Sequence, residues 1–322
     1  MTTDDWLEPL DPRFVPRFAE PATFMRAPYL PGGEDERVEI GLVGVPFDFP
    51  LNRIGTRHGP GAIREMSRLL RRYHMNGESP FDLCQVADVG DAPFNPVDHM
   101  GSIQPMVDYF RRIADRNIAV VAAGGDHFLP YPIWKGIVQG EPIGVVHFDA
   151  HPDTYDDLYG NRYNHGTQLR RAVEEDLVDP TRVVSIGIRG TRFTPDDRDF
   201  NLKTGMRVIT QDEYEDMGRA AVIDEVRRVV GDGPAYITFD IDALDPVFCM
   251  GTGSPEPGGL TMRDAQVILR SLDGLDIIGG DVCEVSPQHD PFGQTALNGA
   301  NLLFEILCVT AKTVARKRGS HP

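Results

Sequence analysis

Short apolar runs recur along the chain from residue 38 onward, and amphipathic stretches separate one run from the next. Runs that are apolar at consecutive positions are typical of strands buried on both faces of a parallel sheet. Such runs predict strands at residues 38–46, 118–125, 143–150, 182–190, 207–213, 234–242 and 275–285.

The intervening stretches have helical periodicity and predict helices at residues 59–74, 101–117, 220–233, 261–274 and 300–318. In the first of them, Pro60 suits the first turn, and Ile63, Met66 and Leu70 fall on one stripe. Strands that alternate with helices indicate an α/β fold. We therefore predict three layers, α/β/α, with a central, mostly parallel sheet.

The first 36 residues lack this alternation. They contain six prolines, which disfavour a regular helix, at positions 9, 12, 16, 21, 28 and 31. No linker or shift in composition follows residue 36. We therefore predict an N-terminal arm over residues 1–36, lying on the body or on a neighbouring subunit, and a single domain over residues 37–322.

Composition narrows the classes of function. A content of 32 basic and 49 acidic residues gives a formal net charge of −17, which disfavours nucleic acid and anionic membranes and weakly favours a cationic ligand. No apolar run approaches the roughly 20 residues of a membrane span. Four cysteines without a C-x-x-C pair fit a reduced, cytoplasmic protein, as does the lack of a signal-like apolar segment near the start.

Titratable side chains follow three of the predicted strands, at the edge where parallel sheets bind ligands. They occur in GGDHF, FDAHPD and FDIDALDP and comprise His127, Asp149, His151, Asp153, Asp240 and Asp242. In an extended segment, positions i, i+2 and i+4 point the same way, so Asp149, His151 and Asp153 should converge. For an isolated D-x-H-x-D, solvated loop residues would be an equal alternative; three such strand ends together favour a shared site.

Two imidazoles and four carboxylates are a suitable set of metal ligands. Uncompensated, the carboxylates would repel one another and lose hydration, at a cost of several kcal/mol. The set is too acidic for a structural zinc site, whereas carboxylates with some imidazole suit Mn²⁺. Six side chains are too many for one ion that leaves room for substrate. We therefore predict two divalent cations about 3.5 Å apart, Mn²⁺ first and Ni²⁺ as the alternative.

In their full context these motifs resemble the ureohydrolase (arginase/agmatinase) superfamily. GGDH, FDAHPD and FDIDALDPVFCMGTGSPEPGG are similar to its three signatures, and PRFVPRFAEPATFMRAPYLP resembles the arm of the agmatinase, guanidinobutyrase and proclavaminate amidinohydrolase branch. The resemblance runs from about residue 38 to the C-terminus. It implies an arginase-like fold and a homo-oligomer, a trimer or hexamer, with a mixed assembly with a paralogue left open.

The resemblance also implies a role for each residue of the site. One metal takes His127, Asp149, Asp153 and Asp240, and the second takes His151, Asp149, Asp240 and Asp242. Asp153 also belongs to the catalytic set, in which His165 passes a proton to the leaving amine and Glu284 pairs with the substrate guanidinium. Tyr155 and Tyr163 are further candidates for substrate contacts, whereas we expect His147 to be a hydrogen-bonded core residue.

The implied reaction is hydrolysis of a small cationic guanidino compound to urea and an amine. The loop TYDDLYGNRYN is unlike the short loop with which arginases hold an amino acid, so arginine is not the expected substrate. Phe49, Leu51 and Phe128 would add apolar bulk, which leaves guanidine, alkylguanidines or a biguanide such as metformin as alternatives. A formiminoglutamase-like hydrolase and a non-catalytic partner subunit also remain open.

Charged loop residues are candidates for recognising the tail of the substrate. Arg53 or Arg162 would pair with a carboxylate, whereas Asp156 or Asp157 would attract a second amine.

Overall fold

The computed structural model describes residues 6–49 and 53–320. Within these ranges the chain forms an eight-stranded parallel sheet in the order β2-β1-β3-β8-β7-β4-β5-β6. The strands are β1 (Ile40–Val45), β2 (Val86–Asp91), β3 (Ala119–Gly124), β4 (Ile143–Phe148), β5 (Val178–Ile188), β6 (Arg207–Thr210), β7 (Pro234–Asp240) and β8 (Asp276–Cys283).

Helices cover both faces of the sheet, which confirms the predicted α/β/α fold. They are α1 (Gly59–Ser67), α2 (Pro80–Leu83), α3 (His99–Ala114), α4 (Pro130–Ile137), α5 (Gln168–Glu174), α6 (Asp199–Thr204), α7 (Gln211–Val230), α8 (Pro246–Cys249), α9 (Met262–Ser271) and α10 (Gln294–Ser320). Apolar side chains of α1, α7, α9 and α10 pack in one cluster, and those of α3, α4 and α5 pack in another. Alternate residues of β4 divide between the two, with Val146 in the first and Val145 in the second. Among the described helices, none combines the length and apolarity that crossing a membrane requires.

The order of the strands brings the predicted site residues together. The chain passes from β3 to β4 and leaves a gap of two strands, which β7 and β8 later fill. The C-terminal ends of β3, β8, β7 and β4 therefore lie side by side, at the point where the direction of winding changes. Ligands of open α/β sheets bind at this position.

All seven predicted strands are present, but β2 escaped prediction. A buried aspartate, Asp88, interrupts its apolar pattern in mid-strand. The predicted strand over residues 207–213 ends early, at Thr210, because the Thr210 side chain accepts a hydrogen bond from the amide of Glu213 and so caps α7. The predicted helix over residues 59–74 ends at Ser67.

The arm is irregular, as its prolines predict. Between Trp6 and Glu36 the described chain forms two short 3₁₀ turns, Phe24–Arg26 and Pro31–Gly33, and a single β-bridge from Tyr29 to Asp88 of β2. The buried Asp88 joins the arm to the body, because its carboxylate accepts from the Phe24 amide (3.0 Å) and from Nε of Arg64 (2.9 Å).

We expect Asp88→Ala to lower the free energy of unfolding by about 3–5 kcal/mol, because it leaves a largely buried guanidinium without its buried partner and the Phe24 amide without its acceptor. Asp91→Ala is the matched control. Asp91 also pairs with Arg64, at 2.7 Å, but its side chain is 47% exposed, so its loss should cost less than about 1 kcal/mol. Urea denaturation of the two variants measures both values. Equal losses would contradict the role given to Asp88.

Candidate metal centre

Loops that follow the central strands enclose a cavity of roughly 480 Å³. Its lining includes most of the predicted site residues, namely His127, His151, Asp153, His165, Asp240, Asp242 and Glu284. Asp149 lies directly beneath them and is fully buried. The structure therefore gathers the predicted residues at one place.

His127 lies at the centre of the first half of the site. Its Nδ1 atom is 2.8 Å from Oδ2 of Asp149, 3.0 Å from Oδ2 of Asp153 and 3.3 Å from Oδ2 of Asp240. The atom is buried, yet it makes no hydrogen bond of acceptable geometry to any of the three. An imidazole nitrogen and three carboxylate oxygens that face one another in this way are arranged as ligands around a cation.

His151 marks the second half of the site. Its Nδ1 atom lies 3.3 Å from Oδ1 of Asp149 and 3.2 Å from Oδ2 of Asp242. Asp149 thus presents one carboxylate oxygen to His127 and the other to His151. This arrangement suits a carboxylate that bridges two ions.

The backbone brings these side chains together by bending, not by strand alternation. β4 ends at Phe148, and Asp153 adopts a left-handed conformation with φ of 51°. After β7 the chain enters a short 3₁₀ turn, in which the Asp240 carboxylate accepts from the Asp242 amide at 2.8 Å. The predicted convergence is therefore present, but the reason given for it, an extended segment, is wrong.

A further layer of side chains holds the ligands in place. Nε2 of His127 is 2.9 Å from the Thr238 hydroxyl, which donates to Asp281 at 2.8 Å. Behind Asp149, His147 lies 3.0 Å from the Asp149 carboxylate and 3.0 Å from the Ser185 hydroxyl. His147 is thus the hydrogen-bonded core residue that we expected. The sequence analysis missed Thr238, Asp281 and Ser185; an aspartate within the apolar run of β8 was the one available signal.

The electrostatics of the site favour a bound cation. Burial raises the pKa of Asp240 well above its usual range, and the charges of Asp242 and Asp149 act in the same direction. For Asp149, burial opposes ionisation, but the close approach of His127, His147 and His151 outweighs it and holds the pKa well below the usual range. Neighbouring carboxylates thus resist ionising together. Divalent cations would remove that conflict, so the residues present fit a pair of such ions.

Comparison with known proteins identifies the family. The profile of the Arginase family matches residues 38–309. The chain belongs to the arginase family. It is 46% identical over 317 residues to the guanidinopropionase of Pseudomonas aeruginosa, covering 98% of this chain and 99% of that protein. It is 42% identical over 313 residues to the guanidinobutyrase of the same species, covering 96% and 98% of the two chains.

A solved structure of the same branch is similar over most of the chain. Proclavaminate amidinohydrolase from Streptomyces clavuligerus superposes with a TM-score of 0.88 at 37% identity, covering 92% of this chain and 99% of that one. The predicted superfamily, its agmatinase-like branch and the predicted class of enzyme, an amidinohydrolase, are therefore confirmed.

Glu284 and His165 also line the cavity. Glu284 follows β8 in a left-handed conformation, and its Oε1 accepts from the His127 amide at 2.8 Å. Burial raises the pKa of Glu284 well above its usual range, as do the charges of Asp240 and Asp126. Burial lowers the pKa of His165 to about 4, which leaves its imidazole neutral at pH 7.

The aromatic residues divide between the cavity and the core. Tyr155 lines the cavity, with its hydroxyl 3.2 Å from Asp197. Tyr163 is not part of the lining, because its ring packs against Phe128 and Tyr131, with centroids 6.2 and 5.7 Å away. The structure thus gives no support to substrate contact by Tyr163.

The expected apolar bulk is only partly present. Phe128 is fully buried beside Tyr131 and is not part of the lining, so it does not add apolar bulk to the cavity. Phe49 does line the cavity. Leu51 lies outside the described residues.

Of the charged loop residues considered for binding the tail of the substrate, some line the cavity and some do not. Arg53 and Asp157 line the cavity. Arg162 instead lies 3.0 Å from Glu174, and Asp156 lies 2.9 Å from Arg171, both away from the lining. Among the described lining residues, Arg53 is the one arginine or lysine.

We expect Asp149→Ala to lower the metal content, because this carboxylate faces both halves of the site. His165→Ala is the control, since it removes a lining side chain that contacts none of the proposed ligands through a hydrogen bond or ion pair in the structure. Plasma mass spectrometry after loading with Mn²⁺ should find two ions per chain in the control and fewer than one in Asp149→Ala. Full occupancy of the Asp149 variant would contradict the assignment.

Proposed function

We propose that this protein is a dinuclear-metal ureohydrolase that cleaves a short guanidino acid to urea and an amino acid. One observation carries the proposal: a buried, carboxylate-rich centre, with His127 and His151 at its two halves, lies in a cavity that also contains Glu284 and Arg53. The names of the relatives support the substrate class, since the two similar Pseudomonas aeruginosa enzymes are a guanidinopropionase and a guanidinobutyrase.

We assign two divalent cations to the centre, Mn²⁺ before Ni²⁺ by ligand type. His127, Asp149, Asp153 and Asp240 would hold one, and His151, Asp149, Asp240 and Asp242 the other. The contacts of His127 and His151 support this division except at Asp240, which lies close to His127 alone. Bound ions would make a water molecule nucleophilic at neutral pH.

The protein's own residues position the substrate and move the proton. The Glu284 carboxylate would accept the guanidinium N–H groups and hold the central carbon over the centre. Water adds to that carbon, and the bond to the alkylated nitrogen breaks. His165, neutral at rest, would take up a proton released by the water and return it to the leaving amine. Removal of His165 should therefore abolish turnover while the metal stays bound.

The substrate's carboxylate would need a cation in the cavity, and Arg53 is our candidate for it. Gly253 lies close to both residues, because a Cβ atom there would be 3.0 Å from Oε2 of Glu284 and 3.8 Å from the backbone carbonyl oxygen of Arg53. The distance between the carboxylate of Glu284 and the guanidinium of Arg53 would then select the length of the guanidino acid.

The comparisons do not favour the other functions considered. All predicted ligands are present, which argues against a non-catalytic partner, and two similar relatives are named for guanidino acids rather than formimino compounds. Guanidine, alkylguanidines and biguanides are less well supported as substrates. Phe128 does not make the cavity smaller, and these compounds have no carboxylate that could pair with Arg53. A homo-oligomer remains our proposal from the family resemblance, and a cytoplasmic location remains our proposal from the cysteine pattern.

Urea release across a panel of substrates tests the proposed function. The panel contains 3-guanidinopropionate, 4-guanidinobutyrate, agmatine, arginine, methylguanidine and metformin, each with Mn²⁺-loaded and Ni²⁺-loaded protein. We expect one of the two acids to give the highest kcat/KM. The proposal would be refuted if agmatine, arginine or metformin released urea fastest, or if no compound of the panel released urea.

We expect Arg53→Gln to raise KM for the preferred guanidino acid roughly tenfold or more, because a charge-assisted hydrogen bond is lost. The value for methylguanidine, which has no carboxylate, should stay unchanged. Arg162→Gln is the matched control, since this loop arginine pairs with Glu174 outside the lining. An equal effect of Arg53→Gln on both substrates would exclude Arg53 as the carboxylate partner.

A further inference from the structure

A second cavity, of roughly 500 Å³, lies between the arm and the residues that follow α1. It shares no lining residue with the metal centre. Its lining contains one carboxylate, Asp11, and five arginines, Arg13, Arg17, Arg26, Arg71 and Arg72. Such a concentration of positive charge is unexpected in a chain whose formal net charge is −17.

Within the described residues, two of these five arginines form ion pairs with carboxylates. Arg13 pairs with Asp11 at 2.6 Å, and Arg72 pairs with Glu8 at 3.0 Å and also with Asp82. Within the described residues, no carboxylate lies within ion-pair distance of the other three, which are Arg17, Arg26 and Arg71.

Arg26 is the informative member of this group. It is 5% exposed, and its Nη1 donates to the Val15 carbonyl at 3.0 Å, whereas its buried Nη2 has no hydrogen-bond partner. The backbone fixes it in this position: Arg26 has a left-handed φ of 62°, and its carbonyl accepts from the Leu10 amide at 3.1 Å. Burial lowers the pKa of Arg26, and so do the nearby charges of Arg68 and Arg17.

A buried guanidinium with an open N–H group and cationic neighbours is costly unless an anion compensates it. The planar donor fork of arginine matches the oxygens of phosphate, and several arginines together neutralise a multivalent anion. Tyr73, which also lines the cavity, is 54% exposed and offers a flat ring beside the arginines.

We propose that this cavity binds a phosphate group, either free or as part of a nucleotide, through Arg17, Arg26 and Arg71. The site is separate from the metal centre and independent of the proposed function.

Calorimetric titration of the metal-loaded protein with inorganic phosphate, at constant ionic strength, tests the proposal. Arg71 is exposed, so Arg71→Gln should fold normally. Arg112→Gln, which removes an exposed arginine of α3, is the matched control. We expect wild type and control to bind one more phosphate than Arg71→Gln, or to bind it at least tenfold more tightly. Phosphate that reaches the metal centre would contribute equally to all three.

Two results would overturn the proposal. One is identical isotherms for wild type, Arg71→Gln and a second variant, Arg17→Gln. The other is an Arg71→Gln variant with unchanged phosphate binding but an altered oligomeric mass, which would mean that acidic groups of a second copy occupy the cavity.

A titration with adenosine monophosphate distinguishes the two sources of phosphate. Tighter binding of the nucleotide than of inorganic phosphate, lost in Tyr73→Ser, would support a nucleotide ligand. Equal affinities that Tyr73→Ser leaves unchanged would support free phosphate.

Discussion

Repulsion among buried carboxylates is the constraint on which this structure depends. Three aspartate oxygens lie within 3.3 Å of a single imidazole nitrogen, and all four residues are nearly fully buried. Without cations, such a group would be a large local cost to folding. Three features bring these groups together: the parallel sheet, the insertion of β7 and β8 between β3 and β4, and the left-handed backbone at Asp153. The account therefore links stability and activity to the same ions.

The cavity above the centre has its own division of charge. Carboxylates line its floor, Glu284 lies beside them, and Arg53 supplies positive charge among the described lining residues. A guanidino acid matches this distribution at both of its ends, whereas guanidine or an amine-tailed compound matches only one. In the proposed function, substrate choice thus depends on where loop charges lie, because the reaction itself would be determined by the proposed metal ligands at the sheet ends.

Much of this was predictable from the sequence, and the exceptions have physical causes. Apolar runs reveal strands buried on both faces, so seven strands were found, but the pattern fails in β2, where Arg64 compensates the buried Asp88. The residue types at the strand ends predicted which side chains the structure brings together. The bend at Asp153 could not be predicted, because the sequence does not show where a non-glycine residue adopts a left-handed backbone. The position of Phe128 depended on packing against distant rings, which one-dimensional patterns do not contain.

Diffraction at the manganese absorption edge, from crystals of the Mn²⁺-loaded protein, tests the central claim most directly. The account predicts two anomalous peaks, one beside Nδ1 of His127 and one beside Nδ1 of His151, with the Asp149 carboxylate between them. A single peak under saturating metal, or two peaks away from these atoms, would contradict it.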